Sequence, residues 1–195
     1  MGRGSSPGQG RPGDRSGLVR ALVESHSRGY RVKIGGLASL NGQVFQADSE
    51  TSLFDAEVIA CGTSYHAAVA GSVYLAQIAG RPAIPVLAPQ FISQFAPAVG
   101  HEDVGIFVSQ SGETKDVLNA LEAAEARGME AFGLANVVGS TLTKATSFCL
   151  PLCCGYEISV PATKTFTNQV ITFLYLAYRM ACKDTRELQG IPALM

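Results

Sequence analysis

From residue 57 onward the chain repeats one alternation: a short apolar run, then a stretch with helical spacing. The runs cover 57–61, 84–88, 104–109, 130–135 and 148–152, each bounded by Gly, Pro, Asn or Ser. Between them, 65–79 has helical character and runs into Gly80, and 113–127 runs into Gly128 in the same way. A last helix is expected over 162–182, where Phe166, Val170, Phe173, Leu174, Ala177, Tyr178 and Ala181 recur at helical spacing. Strands that alternate with helices call for a parallel sheet covered on both faces, and unbroken apolar runs suit strands buried on both sides. The expected fold is therefore α/β: a five-stranded parallel sheet in the flavodoxin-like order 2-1-3-4-5, with helices on both faces.

The remainder of the 195 residues fits around that unit. Residues 1–17 are Gly, Ser, Pro and Arg with almost nothing apolar, too little to offset ordering entropy, and read as a disordered tail. Gly8-Gln9-Gly10-Arg11-Pro12-Gly13 spells G-x-G-x-x-G, but no strand precedes it and no helix follows, so the letters carry no nucleotide site. Residues 18–56 read as a lead-in segment with a weak helical period over 18–27 and turn signals at Gly35-Gly36 and Asn41-Gly42. The folded domain is expected over 57–183, and 184–195 as the start of a linker.

In such a sheet a ligand sits beyond the carboxyl ends of the strands, where the strand order reverses. Here that point lies between the first and third strands. The first leaves through Gly62-Thr63-Ser64, the third through Ser109-Gln110-Ser111-Gly112-Glu113-Thr114. Both turns are small, rich in hydroxyls and followed at once by a helix. Two helix N-termini would bring free N–H groups and positive dipole ends to one spot. Gly62 and Gly112 permit close approach of the backbone. Three hydroxyls in one loop exceed the needs of a single N-cap. The arrangement describes a phosphate site. The net charge is −1, so an anion would be held by local geometry rather than by the field of the whole chain. The same balance argues against nucleic acid or a membrane surface as partner, and no run reaches the roughly 18–20 apolar residues of a membrane span.

Other reactive side chains are sparse. Glu113 reads as an acid placed in a first helical turn, favoured by the dipole, rather than as a base beside a phosphate. Glu157 and Lys164 lie in a third candidate loop, 157–164, that opens the last helix; Lys164 opposes the dipole there unless an anion or acid is near. His26, His66 and His101 are widely separated, and His66 reads as an ordinary helix position. The five cysteines form no C-x-x-C pair; they read as buried free thiols of a cytoplasmic protein, and no metal or cofactor is expected.

The strand and turn Val58-Ile59-Ala60-Cys61-Gly62-Thr63-Ser64-Tyr65-His66, the loop from Ser109 to Thr114, and Glu157-Ile158 with Thr163-Lys164-Thr165-Phe166-Thr167 resemble the sugar isomerase (SIS) domain. They look most like the first isomerase lobe of the glucosamine-6-phosphate synthases, the glutamine:fructose-6-phosphate aminotransferases. The resemblance covers about residues 18–195. It implies that Thr63, Ser64, Ser109, Gln110, Ser111 and Thr114 hold the phosphate of a sugar phosphate. It also implies that Gly62, Val160, Pro161 and Ala162 contact the sugar, which would be fructose 6-phosphate or glucosamine 6-phosphate. The family's usual Val-Ala-Ser-Thr-Lys reads Val160-Pro161-Ala162-Thr163-Lys164 here, so a hydroxyl is lost at Ala162, and related aminosugar-phosphate deaminases and isomerases use similar spellings. A synthase component, a deaminase-type isomerase and a non-catalytic sugar-phosphate sensor are the three readings. Such lobes pair, which implies a homo-oligomer. No catalytic residue is assigned; the resemblance places ring opening and proton transfer on a second lobe, so the chain reads as a fragment without glutaminase or second lobe.

Overall fold

The computed structural model describes residues 56–155, 157 and 162–190, together with short strand segments between Glu24 and Thr51. The tail read over 1–17, most of the lead-in segment and residues 191–195 of the linker fall outside these residues, as do Val160 and Pro161; the described start of the linker holds a 3-10 turn at Thr185–Gly190. Of the short segments, Ala38–Leu40 pairs antiparallel with Gln43–Phe45 on either side of Asn41-Gly42, where the sequence carries a hairpin signal. Glu24–Ser25 pairs antiparallel with Val32–Lys33. The weak helical period read over 18–27 therefore does not carry through it; strand pairing with downstream residues prevails.

The main sheet contains β1 (Ala56–Ala60), β2 (Ala83–Leu87), β3 (Val104–Ser109), β4 (Glu130–Ala135) and β5 (Phe148–Pro151). All pairings are parallel and the order is 2-1-3-4-5. Burial follows position. All five residues of β1 are buried, whereas β2 and β5, at the two edges, are only partly so. The edge strands carry the prolines: Pro85 lies within β2 and Pro151 ends β5. A proline has no N–H for a second neighbour, so an edge is where a strand tolerates it.

Helices α1 (Thr63–Ala79) and α5 (Lys164–Met180) pack together on one face. Leu75, Phe173, Leu176 and Ala177 meet Val58, Val104, Val108, Phe132 and Leu134 there. The approach of the two helices is set at Gly71, where a Cβ would lie 2.7 Å from ring carbons of the fully buried Phe173. The other face is covered by α3 (Lys115–Glu125), whose Val117, Ala120, Leu121 and Ala124 pack on Ile59, Phe107 and Ala131. Two short elements on this side were not anticipated from the sequence. They are α2 (Ala88–Gln90), which runs into a π turn at Phe91–Phe95, and α4 (Thr141–Ala145). Elements this short contain too few residues to show a period. The helix stops match expectation: Gly80 takes φ +64° after α1, and Gly128 takes φ +79° beyond α3.

The stripe of α5 that turns inward differs from the apolar one. Thr165, Gln169, Phe173, Leu176 and Ala177 are buried, while Phe166, Val170, Leu174, Tyr178 and Ala181 are half-buried. Two polar residues occupy the inner stripe, Thr165 bonded to Glu157 and Gln169 to Ser64, as described below. An apolar period counts only apolar residues and misplaces the face by part of a turn.

Candidate functional site

β1 and β3 lie side by side, with Ala60 opposite Val108, so the two turns leave the sheet at the same level. Neighbouring strands stand about 4.8 Å apart, which brings the turns onto one rim. Thr63 opens α1 half-buried, and Ser64 follows, 7% exposed. Gly62 precedes them with φ +56°, a conformation closed to most side chains, and its carbonyl accepts the Tyr65 N–H at 3.1 Å. Gly62 offers α1 no side-chain cap, so the first N–H groups of the helix are not met by a capping hydroxyl.

The loop after β3 is organised by its own side chains. Ser109, 2% exposed, accepts the Gly112 N–H at 3.0 Å and shares a hydrogen bond with the Thr114 hydroxyl at 2.8 Å. Ser111 accepts the Glu113 N–H at 3.1 Å. Gln110 and Ser111 are half-buried on the rim. Thr114 is the residue before α3, yet its hydroxyl makes no capping bond; it turns to Ser109 instead. α3 therefore also begins without a side-chain cap.

Glu113 is placed differently from expectation. It precedes α3, and its carboxylate accepts the Thr141 N–H at 2.7 Å, at the start of α4. That bond, with Lys144 nearby, holds the Glu113 carboxyl below its usual range. Its role is structural, but for another helix, 28 residues on. The Gly112 carbonyl accepts the Leu142 N–H at 3.0 Å, and Gly112, at φ +68°, lies so close to Ser140 that an added Cβ would be 2.6 Å from the Ser140 Cβ. The N-terminus of α4 is thus used to fasten the loop.

The third loop, after β5, is fastened at its ends. Glu157 accepts both the N–H (3.1 Å) and the hydroxyl (2.9 Å) of the fully buried Thr165 in the first turn of α5, and these bonds hold the Glu157 carboxyl below its usual range. Asn136, directly after β4, holds the other end: its amide donates to the Gly155 carbonyl at 2.6 Å and its oxygen accepts the Cys154 N–H at 3.0 Å. The Asn136 backbone N–H meanwhile donates to the Gln110 carbonyl at 3.0 Å. One residue thereby joins the loops after β3 and β5. Ala162, half-buried, lies two residues before α5. Lys164, the first residue of α5, and Lys115, the first of α3, are both exposed.

Asn136 and Gln169 were missed in the sequence. Asn136 could have been found by applying the carboxyl-end rule to the fourth strand as well as to the first and third. Gln169 donates to the Ser64 hydroxyl at 2.9 Å from within the core, and no local signal marks it. His66 is exposed on α1, edge-on to Tyr65. The cysteines are all free, and against expectation none is fully buried: Cys61, Cys149 and Cys154 are half-buried, and Cys153 and Cys182, both at positive φ, are exposed. Burial pushes the Cys61 thiol up, and that of Cys149 up to about 12. Among the described residues no group of His, Cys, Asp or Glu is arranged to hold a metal.

The SIS domain family matches residues 56–179. Among similar proteins is the isomerizing glutamine–fructose-6-phosphate aminotransferase of Aquifex aeolicus, 38% identical over 138 residues, covering 71% of this chain and 22% of the relative. The human isomerizing glutamine–fructose-6-phosphate aminotransferase 2 is 40% identical over 133 residues, covering 68% and 19%. The chain thus spans about a fifth of the length of these relatives. Among solved structures, the C-terminal domain of glucosamine-fructose-6-phosphate aminotransferase from Francisella tularensis superposes with a TM-score of 0.62 at 26% identity, covering 66% of this chain and 36% of that one. The glucosamine-6-phosphate deaminase of Thermotoga maritima shares the fold, with a TM-score of 0.64 at 22% identity, covering 70% of this chain and 43% of that one. Together with the five-stranded order 2-1-3-4-5 and the two glycine turns at its carboxyl rim, these matches show that the chain belongs to the SIS domain family.

Proposed function

We propose that this domain holds the phosphate of a sugar phosphate at the rim between β1 and β3. In this reading it is the phosphosugar-binding lobe of an isomerising aminotransferase that converts fructose 6-phosphate to glucosamine 6-phosphate. The observation that carries the reading is the meeting of two helix starts: α1 and α3 leave neighbouring strands at one level, in a setting rich in hydroxyls. Helix N-termini that converge in this way suit an oxyanion. Thr63, Ser64, Ser109, Gln110, Ser111 and Thr114 are the residues proposed to hold it, with Gly62, Val160, Pro161 and Ala162 toward the sugar. The relatives named as fructose-6-phosphate aminotransferases supply the sugar part of the proposal.

Aldose–ketose isomerisation moves protons beside a carbonyl and needs a positioned acid or base. The carboxylates of these loops, Glu113 and Glu157, are each engaged by backbone N–H groups that stabilise the charged form. A carboxylate so held is a poor base. The chain alone is therefore expected to bind sugar phosphate without forming glucosamine 6-phosphate from fructose 6-phosphate and ammonia. Formation of that product by the pure chain would overturn this part. The Ala162 spelling supports a second reading, a deaminase-type isomerase. Product analysis with glucosamine 6-phosphate separates the two. Self-association, proposed from the resemblance, is checked by sedimentation. No helix among the described residues is long and apolar enough to cross a membrane.

Calorimetry tests the phosphate claim. Fructose 6-phosphate should bind and fructose should not. Ser111→Ala and Thr114→Ala should each weaken binding by about 1.5–3 kcal/mol, the scale of a hydrogen bond to a charged group. Unchanged affinity in both variants would place the phosphate elsewhere.

A further inference from the structure

Among the largest fully buried side chains of the described residues, Gln169 stands out as the polar one, at 1% exposure among phenylalanines, leucines and valines. Its amide nitrogen donates to the Ser64 hydroxyl at 2.9 Å, across 105 residues of sequence and from one helix to the first turn of another. Its amide oxygen is buried and meets no donor. An unpaired buried carbonyl opposes folding, and a methionine of similar length would fill the space without that cost. Stability alone gives no reason for an amide at this position.

The polarity of the bond supplies one. A serine hydroxyl has one proton to give and two lone pairs with which to accept, while an amide N–H can only donate. Gln169 therefore occupies an acceptor position of Ser64 and leaves its proton uncommitted. Several helical hydroxyls instead give their proton to a carbonyl three or four residues back: Ser72 to Val69, Thr146 to Leu142, Thr167 to Thr163 and Thr172 to Asn168. Ser64 makes no such bond; its hydrogen bond is the one it accepts from Gln169. Turning the amide over would leave two buried N–H groups without partners in place of one N–H and one oxygen, and would use the Ser64 proton inside the protein. The observed orientation carries the smaller cost, because an unmet carbonyl oxygen is tolerated more readily than an unmet N–H.

We propose that Gln169 is a positioning residue that fixes Ser64 as a hydrogen-bond donor toward the phosphate of the ligand. The proposal rests on the phosphate reading above and deepens it. Phosphate oxygens only accept, so a serine whose proton is kept free by a buried donor is matched to them, whereas one whose proton is drawn inward is not. The same bond ties the N-terminus of α1 to the middle of α5, the helix that opens at the third loop.

The test is a double-mutant cycle on the full chain, read by calorimetry with fructose 6-phosphate and by thermal melting. Ser64→Ala should weaken binding about tenfold, the effect of one hydrogen bond. Gln169→Met should weaken it by a similar factor while its melting temperature stays at or above that of the parent, because an unpaired oxygen has been removed. The double variant should lose no more than either single one. Gln169→Glu, whose carboxylate would take the Ser64 proton, should bind more weakly than Gln169→Met. Parental affinity in Gln169→Met beside a weakened Ser64→Ala would overturn the proposal, as would losses that multiply in the double variant. Should the position 169 variants fail to fold, the parent chain carries the test: its Gln169 side-chain amide resonances shift on titration with fructose 6-phosphate if the proposal holds and stay in place if it does not. Absence of binding by the parent chain, or full affinity in Ser111→Ala and Thr114→Ala, would remove the phosphate reading itself. Failure at Gln169 and Ser64 alone removes only this inference.

Discussion

The loops after β3 and β5 meet the same neighbour, Asn136, but their described residues are fastened by different partners. The loop after β3 is fixed throughout: Ser109, Ser111 and Thr114 bond within it, and Glu113 and the Gly112 carbonyl fasten it to α4. The loop after β5 is fixed where it starts, through Asn136 on Cys154 and Gly155, and where α5 begins, through Glu157 on Thr165. The first arrangement suits a ligand part that never varies, such as a phosphate. The described bonds of the second run through Asn136, Glu157 and Thr165, none of which is proposed to contact the sugar, so the sugar contacts can differ while these fastenings stay. On this view affinity for phosphate belongs to the first loop and discrimination between sugars to the second.

The sharpest way to break the contrast is at Gly112. Alanine there must adopt φ +68° and place its Cβ against Ser140. A left-handed residue costs about 1–2 kcal/mol and overpacking about 1–3. Gly112→Ala should therefore lose roughly 3 kcal/mol of stability by chemical denaturation and bind neither fructose 6-phosphate nor inorganic phosphate measurably. Gly100→Ala, at a position where an added Cβ meets nothing within 4 Å, should change neither. A Gly112→Ala chain with parental affinity would mean that the first loop is not preorganised for the ligand.

Asn136 offers the finer separation. Asn136→Ala removes the three side-chain bonds to the second loop, to the Gly155 carbonyl and from the Cys154 N–H and thiol, but keeps the backbone N–H that holds Gln110. Inorganic phosphate should then bind within about twofold of the parent, while fructose 6-phosphate weakens about tenfold, the effect of about one lost hydrogen bond. Equal losses for both ligands would dissolve the proposed division between the loops.

The two loops also differ in how far they were legible. β3 and β4 were bounded to the residue, because each is an apolar run cut off by a polar turn. The carboxyl-end rule led from those strands to the rim. What the sequence did not disclose are bonds across long intervals. Glu113 looks like the first-turn acid of its own helix; its partner Thr141 lies on a five-residue helix too short to leave a period. Gln169 sits one residue from Val170, and only its bond to Ser64, on another helix, explains why the polar neighbour faces inward. Local chemistry was readable, whereas the choice between equivalent local roles was decided by partners far along the chain.

The smallest expected effect tests whether the two fastenings share one chemistry. Glu113 and Glu157 are both held below the usual carboxylate range, each chiefly by a backbone N–H at the start of a helix. A carboxyl whose folded pKa is lowered contributes stability that is fully present above its unfolded value, near 4.5, and is lost as the pH falls through the lower folded value. Both loops should therefore loosen in the same window, below about pH 4.5, and neither should respond between pH 6 and 8. Glu113→Gln removes the charge while keeping an oxygen that can accept from Thr141. Its melting temperature should lie slightly below the parent's at pH 7 and converge with it as the pH falls below 4. Glu157→Gln should do the same. Two curves of one shape would mean that the loops differ in where they are fastened rather than in how. A pH response confined to Glu113→Gln would show that the second loop's fastening rests on Asn136, and would make the contrast between the loops deeper than the bonds alone suggest.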